Sequence, residues 1–397
     1  MELWHGPTHA FKDVALTTLP HLLTAAKEIT GVTSSTLILV ATSGDTGKAA
    51  LEGFKDVPGT RIAVLYPSDG VSPMQKLQMT TQDGGNVQVY GIEGNFDDAQ
   101  TAVKKIFTDE AFRAELKKEN VELSSANSIN LGRLLPQVVY YFSAYFDLAA
   151  AEQIRFGEIV NFCVPTGNFG DILAGYYAKR MGLPVGRLLC ASNENNVLTD
   201  FLSDGRYVAE REFFKTMSPS MDILISSNLE RLLFEATGRD PERVKAYMAR
   251  LADEKEYTVS EEELDFIQDS FFGECATEEE TSATIADYFD DRGYIMDPHT
   301  AVAACCYDNV FEELTGKTVI LSTASPYKFV DDVLRAIGEE TGKTTDESLK
   351  KLEAATALEI PDSIAELTRL PVRFCEILPS GKIASAISAY ALGKTAE

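Results

Sequence analysis

Short runs of apolar residues alternate with longer helical patterns along this chain. Six runs lack the polar alternation of a half-exposed strand, as is typical of parallel strands buried on both faces. They cover residues 36–41, 61–66, 86–92, 158–164, 187–192 and 318–323. Amphipathic stretches lie between them, among them residues 98–107, 131–151 and 171–181. This alternation predicts a doubly wound α/β architecture.

Polar loops follow several of these predicted strands directly. TSGDTG (residues 42–47) follows the first, PTGNFGD (165–171) the fourth and STASP (322–326) the sixth. In open α/β sheets the ligand crevice lies off the carboxyl ends of the strands. The loops are therefore candidates for a binding site. Residues 228–292 contain few strand-like runs and are expected to form a mostly helical peripheral region.

Size and charge narrow the class of protein. A chain of 397 residues is expected to divide into two lobes. A net charge of −25 and a pI near 4.6 argue against a nucleic-acid surface or an anionic membrane as partner. The sequence has neither a run of about 18 apolar residues nor a basic start followed by an apolar stretch. We therefore expect a cytoplasmic protein.

Cysteine and histidine usage gives no sign of a metal centre. The six cysteines have no paired metal-ligand spacing, and the four histidines lack a carboxylate-rich ligand set. We expect reduced, mostly buried thiols and no metal.

The loop between residues 165 and 171 suits an anion. Gly167 and Gly170 allow close approach of the backbone, and the helix that follows presents free N–H groups. Asn168 can donate from its side chain. A strand-to-helix turn without a ligand would look similar, so this string alone leaves both interpretations open.

Lys12 lies in the string HGPTHAFKD, next to Phe11 and Val14. An apolar neighbourhood favours the neutral, nucleophilic amine of a lysine. The alternative is an exposed lysine near the start of a helix, because lysine is rarely buried.

Two further strings carry candidate ligands. TSGDTG, with the candidates Thr42, Ser43, Asp45 and Thr46, offers small hydroxyls and N–H groups that suit a carboxylate, although a threonine or serine there can also simply cap the next helix. SINLGR contains Arg133, whose planar fork suits phosphate oxygens. The alternative for SINLGR is a helix that starts at Asn130 and whose arginine faces water.

Taken in order, these strings resemble threonine synthase of the longer kind found in bacteria and fungi. The resemblance also includes SPSMDILISSNLERLLF (218–234), DPHTAVA (297–303) and LSTASPYKF (321–329), and it covers most of the chain. It implies a pyridoxal-phosphate enzyme with an α/β fold of two lobes with doubly wound parallel sheets, like the tryptophan synthase β (fold type II) enzymes. We expect a smaller lobe at residues 34–150, and a larger lobe, with Lys12 and the glycine loop, at 1–33 and 151–397.

The resemblance also implies a role for each candidate residue. Lys12 is similar to the lysine that carries the cofactor and acts in catalysis. The cofactor phosphate is assigned to Gly167, Asn168, Phe169, Gly170 and Asp171, and the ring nitrogen to Thr323. The amino-acid end of the substrate is assigned to Thr42, Ser43, Asp45 and Thr46, and its distal phosphate to Ser128, Asn130 and Arg133. Ser226, Ser227 and Asn228 are further candidates for the wall of the site.

The implied reaction converts O-phospho-L-homoserine and water to L-threonine and phosphate, and we expect a monomer. Ser325 stands where the family usually has histidine, and Tyr327 stands where it has a small residue. Because of these two departures, a related phospho-lyase that releases 2-oxobutyrate and ammonia stays open as an alternative. A non-catalytic binding protein stays open as a second alternative, because the sequence starts only a few residues before the lysine string, where members of the family carry a further segment.

Members of the family also carry a segment before the lysine string. If residues precede Met1 in the natural protein, we expect them to pack on the lobe that carries Lys12. Without them, the helix near Lys12 would begin at a nearly free chain end, where fraying is expected.

Overall fold

The computed structural model describes residues 1–68, 70–94 and 96–393, which form two compact units. We call His5–Arg133 with Gly342–Glu397 the lysine unit, and Met1–Trp4 with Leu134–Thr341 the glycine-loop unit. The strands are β1 (Ser35–Ala41), β2 (Thr60–Pro67), β3 (Val87–Ile92), β4 (Val121–Ser124), β5 (Val160–Pro165), β6 (Val185–Ser192), β7 (Arg206–Val208), β8 (Glu256–Thr258), β9 (Phe271–Cys275), β10 (Lys317–Ile320) and β11 (Ile377–Leu378).

The helices alternate with these strands through most of both units. They are α1 (Lys12–Thr30), α2 (Asp45–Phe54), α3 (Pro73–Thr80), α4 (Phe96–Thr108), α5 (Glu110–Lys118), α6 (Leu131–Leu134), α7 (Val138–Ala150), α8 (Gly170–Arg180), α9 (Val197–Asp204), α10 (Leu229–Ala236), α11 (Pro241–Glu254), α12 (Glu261–Gln268), α13 (Glu278–Arg292), α14 (Pro298–Val310), α15 (Val330–Ala336), α16 (Thr345–Thr356), α17 (Asp362–Leu367) and α18 (Ile383–Ala391). Short 3-10 turns at Leu135–Gln137, Pro219–Met221 and Pro326–Phe329 join some of them.

The lysine unit is built on a parallel sheet with the strand order β11-β3-β2-β1-β4. Alternate side chains of β1 enter two cores: Ile38 and Val40 pack with α1 and α2 on one face, and Leu37 and Leu39 pack with α4 and α18 on the other. Burial on both faces explains why these strands read as continuous apolar runs. The sheet places the loops that follow β1 and β4 next to each other.

The glycine-loop unit contains a second parallel sheet with the order β10-β5-β6-β9. Helix α14 covers one face, where Val302 and Cys306 pack against Cys163 and Leu189 of the sheet. Strands β7 and β8 form a separate antiparallel pair. The glycine loop, residues 165–171, leaves the carboxyl end of β5 and leads into α8.

Most of the predicted elements are confirmed, with two local differences. The six predicted strands correspond to β1, β2, β3, β5, β6 and β10, although β10 ends at Ile320 rather than Thr323. The helix predicted over residues 131–151 is broken into α6, a 3-10 turn and α7. Pro136 lies in that turn, where its missing N–H interrupts the helical bonding.

The two units differ from the lobes expected from the sequence. Helix α1 belongs with TSGDTG because it packs on α2: a Cβ on Gly53 would lie 2.0 Å from the Leu16 carbonyl oxygen, so only glycine permits this approach. The described residues from 342 to 393 also belong to the lysine unit. Between residues 228 and 292 most of the chain is helical, but β9 joins the central sheet of the glycine-loop unit.

The first residues of the chain are held by backbone hydrogen bonds. The Met1 amino group donates to the Ile320 carbonyl at 2.7 Å, and the N–H groups of Leu3 and Ser322 donate to the carbonyls of Ser322 and Met1 at 2.9 and 2.8 Å. These bonds hold residues 1–3 at Ile320 and Ser322, while fraying at the start of α1 stays a prediction. Among the described residues, no helix is both long and apolar enough to cross a membrane.

Candidate active site

Lys12 is buried at the first position of α1, so it is not the exposed lysine of the alternative interpretation. The turn before it is fixed by Asp13, whose carboxylate accepts from the Thr8 N–H at 2.9 Å and from the Thr8 hydroxyl. His9 has a left-handed backbone with φ 60°, and its Nε2 lies 2.6 Å from the Ser363 hydroxyl. These bonds fix the start of α1 and with it the position of the lysine.

The amine of Lys12 lies beside a second buried carboxylate. Its Nζ is 3.5 Å from Asp45 Oδ2 and 4.6 Å from the centre of the Phe11 ring. The other oxygen, Asp45 Oδ1, accepts from Gln75 Nε2 at 2.9 Å. Asp45, expected at the substrate, thus lies next to the candidate nucleophile. Sequence reasoning missed Gln75, although the capping box that Ser72 forms with it at the start of α3 is a recognisable signal.

Some residues of the TSGDTG loop hold its backbone in shape, and others can bind a ligand. Thr42 is buried, and its hydroxyl accepts from the N–H groups of Gly44 at 2.9 Å and Gly47 at 2.8 Å. Thr42 therefore holds the loop. The half-buried hydroxyls of Ser43 and Thr46 have no hydrogen-bond partner within the part of the chain that the structure describes. These two remain candidates for substrate binding.

The SINLGR segment follows β4 and meets the end of β1. Asn127 Nδ2 donates to the Ala41 carbonyl at 2.8 Å, which fixes this loop beside TSGDTG. Asn130 shapes the loop, because its side chain donates to the Ser125 carbonyl at 2.8 Å and accepts from the Gly132 N–H at 2.9 Å. The short helix begins at Leu131, one residue later than expected.

Arg133 is buried, with only 3% of its surface exposed. One guanidinium nitrogen donates to the Ala126 carbonyl at 2.6 Å. The alternative in which this arginine faces water is therefore wrong. Ser128 is half-buried in the same loop. A buried guanidinium suits an anionic ligand better than an exposed one, because burial strengthens the ionic contact.

The glycine loop presents its backbone to an anion. Gly167, Asn168 and Phe169 use none of their N–H groups in hydrogen bonds to described residues, and Gly170 begins α8. Phe169 has φ 58°, which turns the chain sharply into the helix. The N–H groups and the positive end of the helix dipole form the arrangement that binds phosphate in many proteins.

Residues of the ISSN string brace this loop from behind. The Ser226 hydroxyl donates to the Gly167 carbonyl at 2.7 Å, and the Ser227 hydroxyl donates to Asn168 Oδ1 at 3.0 Å. Asn228 donates to the Asn168 carbonyl from its backbone N–H at 3.1 Å and its side chain at 3.0 Å. With its oxygen engaged by Ser227, the Asn168 amide is oriented so that its NH2 group remains a donor for a ligand.

Asp171 differs from its neighbours in the loop. Its Oδ1 and its carbonyl accept from the Tyr141 hydroxyl at 3.1 and 2.8 Å. Burial, together with the nearby Asp171 carboxylate, raises the pKa of Tyr141 well above 10, so this phenol stays protonated as the donor. A carboxylate would repel a phosphate. Any contribution of Asp171 to phosphate binding therefore comes from its backbone.

Thr323 lies beyond the end of β10 and is buried. Its N–H donates to the Thr300 hydroxyl at 3.3 Å, while its own hydroxyl has no partner among the described residues. Ser325 and Tyr327, the two departures from the family, are fully buried. The Ser325 hydroxyl accepts from the Tyr327 N–H at 3.3 Å and so caps a 3-10 turn.

The glycine loop gives a first testable prediction. An alanine Cβ at residue 167 would lie 3.1 Å from Ile223 Cγ1, Met221 Cα and the Ser220 carbonyl oxygen, two of which are backbone atoms. Gly167→Ala should lower the free energy of unfolding by roughly 1–3 kcal/mol, the usual cost of overpacking. Thermal melting of the cofactor-free protein measures it.

Gly170→Ala is the matched control for this measurement. Its Cβ would meet only Asn228 Nδ2, at an ordinary 3.5 Å, and alanine is a better helix former than glycine. Equal melting temperatures for the two variants would contradict the close packing behind residue 167.

Comparison with known proteins defines the class of this molecule. Residues 1–325 match the family described as pyridoxal-phosphate dependent enzyme, and residues 300–384 match threonine synthase, C-terminal. The expected cofactor class and the α/β fold with parallel sheets are thereby confirmed.

Individual relatives narrow the assignment. Threonine synthase of Saccharomyces cerevisiae is 40% identical over 359 residues, which cover 85% of this chain and 68% of that protein. A pyridoxal-phosphate-bound threonine synthase from Brucella melitensis has a similar structure, with a TM-score of 0.83, 40% identity and coverage of 98% of this chain and 78% of that one. The chain belongs to the threonine synthase family.

The chain is also similar to a human protein named threonine synthase-like 1. The two are 43% identical over 366 residues, which cover 90% of this chain and 49% of the human protein. The chain thus spans about half the length of such relatives.

The residues present in each unit fit the cofactor. A buried lysine amine lies beside Asp45 in the lysine unit, and the glycine-loop unit offers backbone N–H groups without protein acceptors among the described residues. These are the groups that the aldehyde and the phosphate of pyridoxal phosphate require. Within the described ranges, no cluster of three or more histidine, cysteine or acidic side chains could hold a metal ion.

Proposed function

We propose that this protein converts O-phospho-L-homoserine and water to L-threonine and phosphate. The observation that carries the proposal lies in the lysine unit: the buried Lys12 amine, the available hydroxyls of TSGDTG and the buried guanidinium of Arg133 all belong to segments at one end of the same sheet. An amine, a carboxylate-binding loop and a phosphate-binding arginine are the three groups that a phosphorylated amino acid needs. Family membership supports the same substrate.

Pyridoxal phosphate, when bound, supplies an electron-accepting ring that stabilises negative charge at the substrate α carbon. In the proposed mechanism the Lys12 amine takes the proton from that carbon. Asp45 Oδ2, 3.5 Å from Nζ, stabilises the protonated amine. Gln75 keeps Asp45 oriented through its 2.9 Å bond to the other oxygen.

The remaining residues orient the substrate. Ser43 and Thr46 donate to its carboxylate from a loop that Thr42 holds in shape. Arg133, with Ser128, contacts the distal phosphate and stabilises the charge that builds on it as it leaves. Asn130 stabilises this loop through hydrogen bonds to its backbone and is not assigned to the ligand.

In the glycine-loop unit, Gly167, Asn168, Phe169, Gly170 and the backbone of Asp171 are proposed to hold the cofactor phosphate. Thr323 is proposed to contact the ring nitrogen with its hydroxyl. A neutral hydroxyl does not enforce protonation of that nitrogen as a carboxylate would.

The proposal is tested by phosphate release. Purified protein loaded with pyridoxal phosphate is incubated with O-phospho-L-homoserine, and inorganic phosphate is measured over time. In the control, a mixture of L-homoserine and glycerol phosphate replaces O-phospho-L-homoserine. This control distinguishes a phosphatase from an enzyme that needs the amino acid and the phosphate in one molecule. Release from the glycerol ester, or no release from O-phospho-L-homoserine, would contradict the proposal.

A cytoplasmic location and a monomeric state remain predictions of the sequence. Fractionation of cells with an antibody against the protein tests the first, and light scattering of the purified chain tests the second.

A further inference from the structure

Asp297, in the string DPHTAVA, is a fully buried carboxylate that the proposed mechanism does not use. It precedes α14 as the N-cap residue. Its Oδ1 accepts from the His299 N–H at 2.9 Å and lies 2.7 Å from His299 Nδ1; its Oδ2 accepts from the Thr300 N–H at 3.4 Å and from the Thr300 hydroxyl. The backbone bonds cap the helix, which serine or asparagine would also do. The bonds to two side chains go beyond capping.

The bond between Asp297 and the Thr300 hydroxyl connects Asp297 to Thr323. A threonine hydroxyl has one proton, and the proton of Thr300 goes to Asp297, so the Thr300 oxygen accepts from its other neighbours. It accepts from the Thr323 N–H at 3.3 Å and lies 3.2 Å from the Ser322 hydroxyl. Ser322 in turn accepts from Trp4 Nε1 at 3.0 Å. Asp297 therefore fixes the backbone at Thr323 through one intermediate hydroxyl.

The bond between Asp297 and His299 connects Asp297 to the residues behind the glycine loop. With Nδ1–H of His299 donating to Asp297, Nε2 is left as an acceptor, and the Ser220 N–H donates to it at 3.2 Å. Ser220 lies in the 3-10 turn Pro219–Met221. This turn forms the wall behind Gly167, where an added Cβ would lie 3.1 Å from the Ser220 carbonyl oxygen. The His299 ring packs edge-on against Phe329, with ring centres 4.9 Å apart.

We propose that Asp297 is a positioning residue that sets two parts of the cofactor site at once: Thr323 through Thr300, and the wall behind the glycine loop through His299. The inference rests on the proposed function for the roles of Thr323 and the glycine loop. The hydrogen bonds themselves all lie within the glycine-loop unit. The role explains why an aspartate, with two acceptor oxygens, stands at a position where a helix cap alone would accept other residues.

Asp297→Asn is the direct test, because an amide has only one acceptor oxygen and offers a donor in place of the other. If the NH2 group faces His299, the ring must take the opposite tautomer, and its Nε2–H then opposes the Ser220 N–H. If it faces Thr300, the hydroxyl must reverse and can no longer accept freely from Thr323. We expect affinity for pyridoxal phosphate to fall by at least roughly tenfold, as for loss of a charge-assisted hydrogen bond. Titration of the cofactor-free protein measures it.

Thr300→Val distinguishes the two routes by which Asp297 acts, one through Thr300 to Thr323 and one through His299 to the glycine loop. It removes the hydroxyl at nearly constant volume but leaves Asp297 and His299 in place. The absorption band of the bound cofactor should shift, because Thr323 moves, while the His299 tautomer in the cofactor-free protein should stay as in the wild type. Nitrogen NMR of the imidazole resonances, from only four histidines in the chain, reports that tautomer. Thr300→Ser restores the hydroxyl and should restore the band.

Thr281→Val in α13 is the matched control, since Thr281 is fully buried and its hydroxyl bonds, among the described residues, only to the Thr277 carbonyl of its own helix turn. A Thr300→Val protein whose cofactor band matches that of Thr281→Val would overturn the route to Thr323. A wild-type His299 with its proton on Nε2 would overturn the route to the glycine loop. If Asp297→Asn does not fold, the cofactor band of Thr300→Val and the His299 tautomer of the wild type still test the proposal. Failure of the wild type to bind cofactor would instead reject the proposed function, and the NMR result would still test the hydrogen bonding.

Discussion

Lys12→Ala is expected to reduce turnover of O-phospho-L-homoserine by roughly three orders of magnitude or more. The variant would lose both the proposed attachment point of the cofactor and the proposed base at the α carbon, and positioned acid–base catalysis alone contributes about 10²- to 10⁴-fold. Steady-state kinetics with saturating pyridoxal phosphate measures the loss. Borohydride reduction of the wild-type protein, followed by peptide mass spectrometry, should find the cofactor on the peptide that contains Lys12.

Lys48→Ala is the control for this experiment. Lys48 is a similarly buried lysine of the same unit, but its amine contacts Glu52 at 3.0 Å and Gln82 at 2.5 Å. It should keep the reducible cofactor linkage whatever its effect on stability. Attachment of the reduced cofactor to a lysine other than Lys12 would show that the assignment is wrong.

Arg133→Ala is expected to weaken the productive use of O-phospho-L-homoserine while leaving the affinity for pyridoxal phosphate nearly unchanged. In the proposed binding mode the lost contact is a charge-assisted bond to the distal phosphate, and such a bond typically contributes about 1.5–3 kcal/mol, or roughly ten- to a hundredfold in kcat/KM. Arg133→Lys keeps the charge without the planar fork and should fall between the two. Kinetics and cofactor titration on the same preparations measure both quantities.

Arg61→Ala separates this effect from a general loss of packing. Arg61 also donates to backbone carbonyls of the lysine unit, those of Tyr390 and Ala391 at the end of α18. Arg61→Ala should lower the stability of the protein without selectively lowering kcat/KM for O-phospho-L-homoserine. Parallel losses of substrate and cofactor affinity in Arg133→Ala would mean that Arg133 supports the fold through Ala126 instead.

The central strands of the fold could be predicted because burial on both faces leaves an unambiguous apolar run. The short strands β7, β8 and β11 have no such run, since each contains only two or three residues and pairs at an edge or in a separate ribbon. The strand β9 was hidden inside a mostly helical region. Its place in the sheet depends on long-range pairing with β6, which local patterns do not record.

The candidate site was only partly predictable, for a similar reason. The loops after β1, β4 and β5 carry their own sequence signals, so Thr42, Arg133 and Gly167 could be proposed directly. The partner of a buried polar group can lie anywhere in the chain, as Gln75 does for Asp45 and Ser363 for His9. Packing of α1 on α2 likewise decides which unit holds Lys12, and no local pattern around Lys12 contains that information.

The central claim is that this chain makes threonine, and one proton NMR time course tests it most directly. The cofactor-loaded protein is mixed with O-phospho-L-homoserine, and L-threonine and 2-oxobutyrate are followed in the same sample while phosphate is read from the phosphorus spectrum. The account predicts threonine and phosphate in equal amounts, with no accumulation of 2-oxobutyrate. Phosphate released together with 2-oxobutyrate and ammonia, without threonine, would contradict it and identify a phospho-lyase instead.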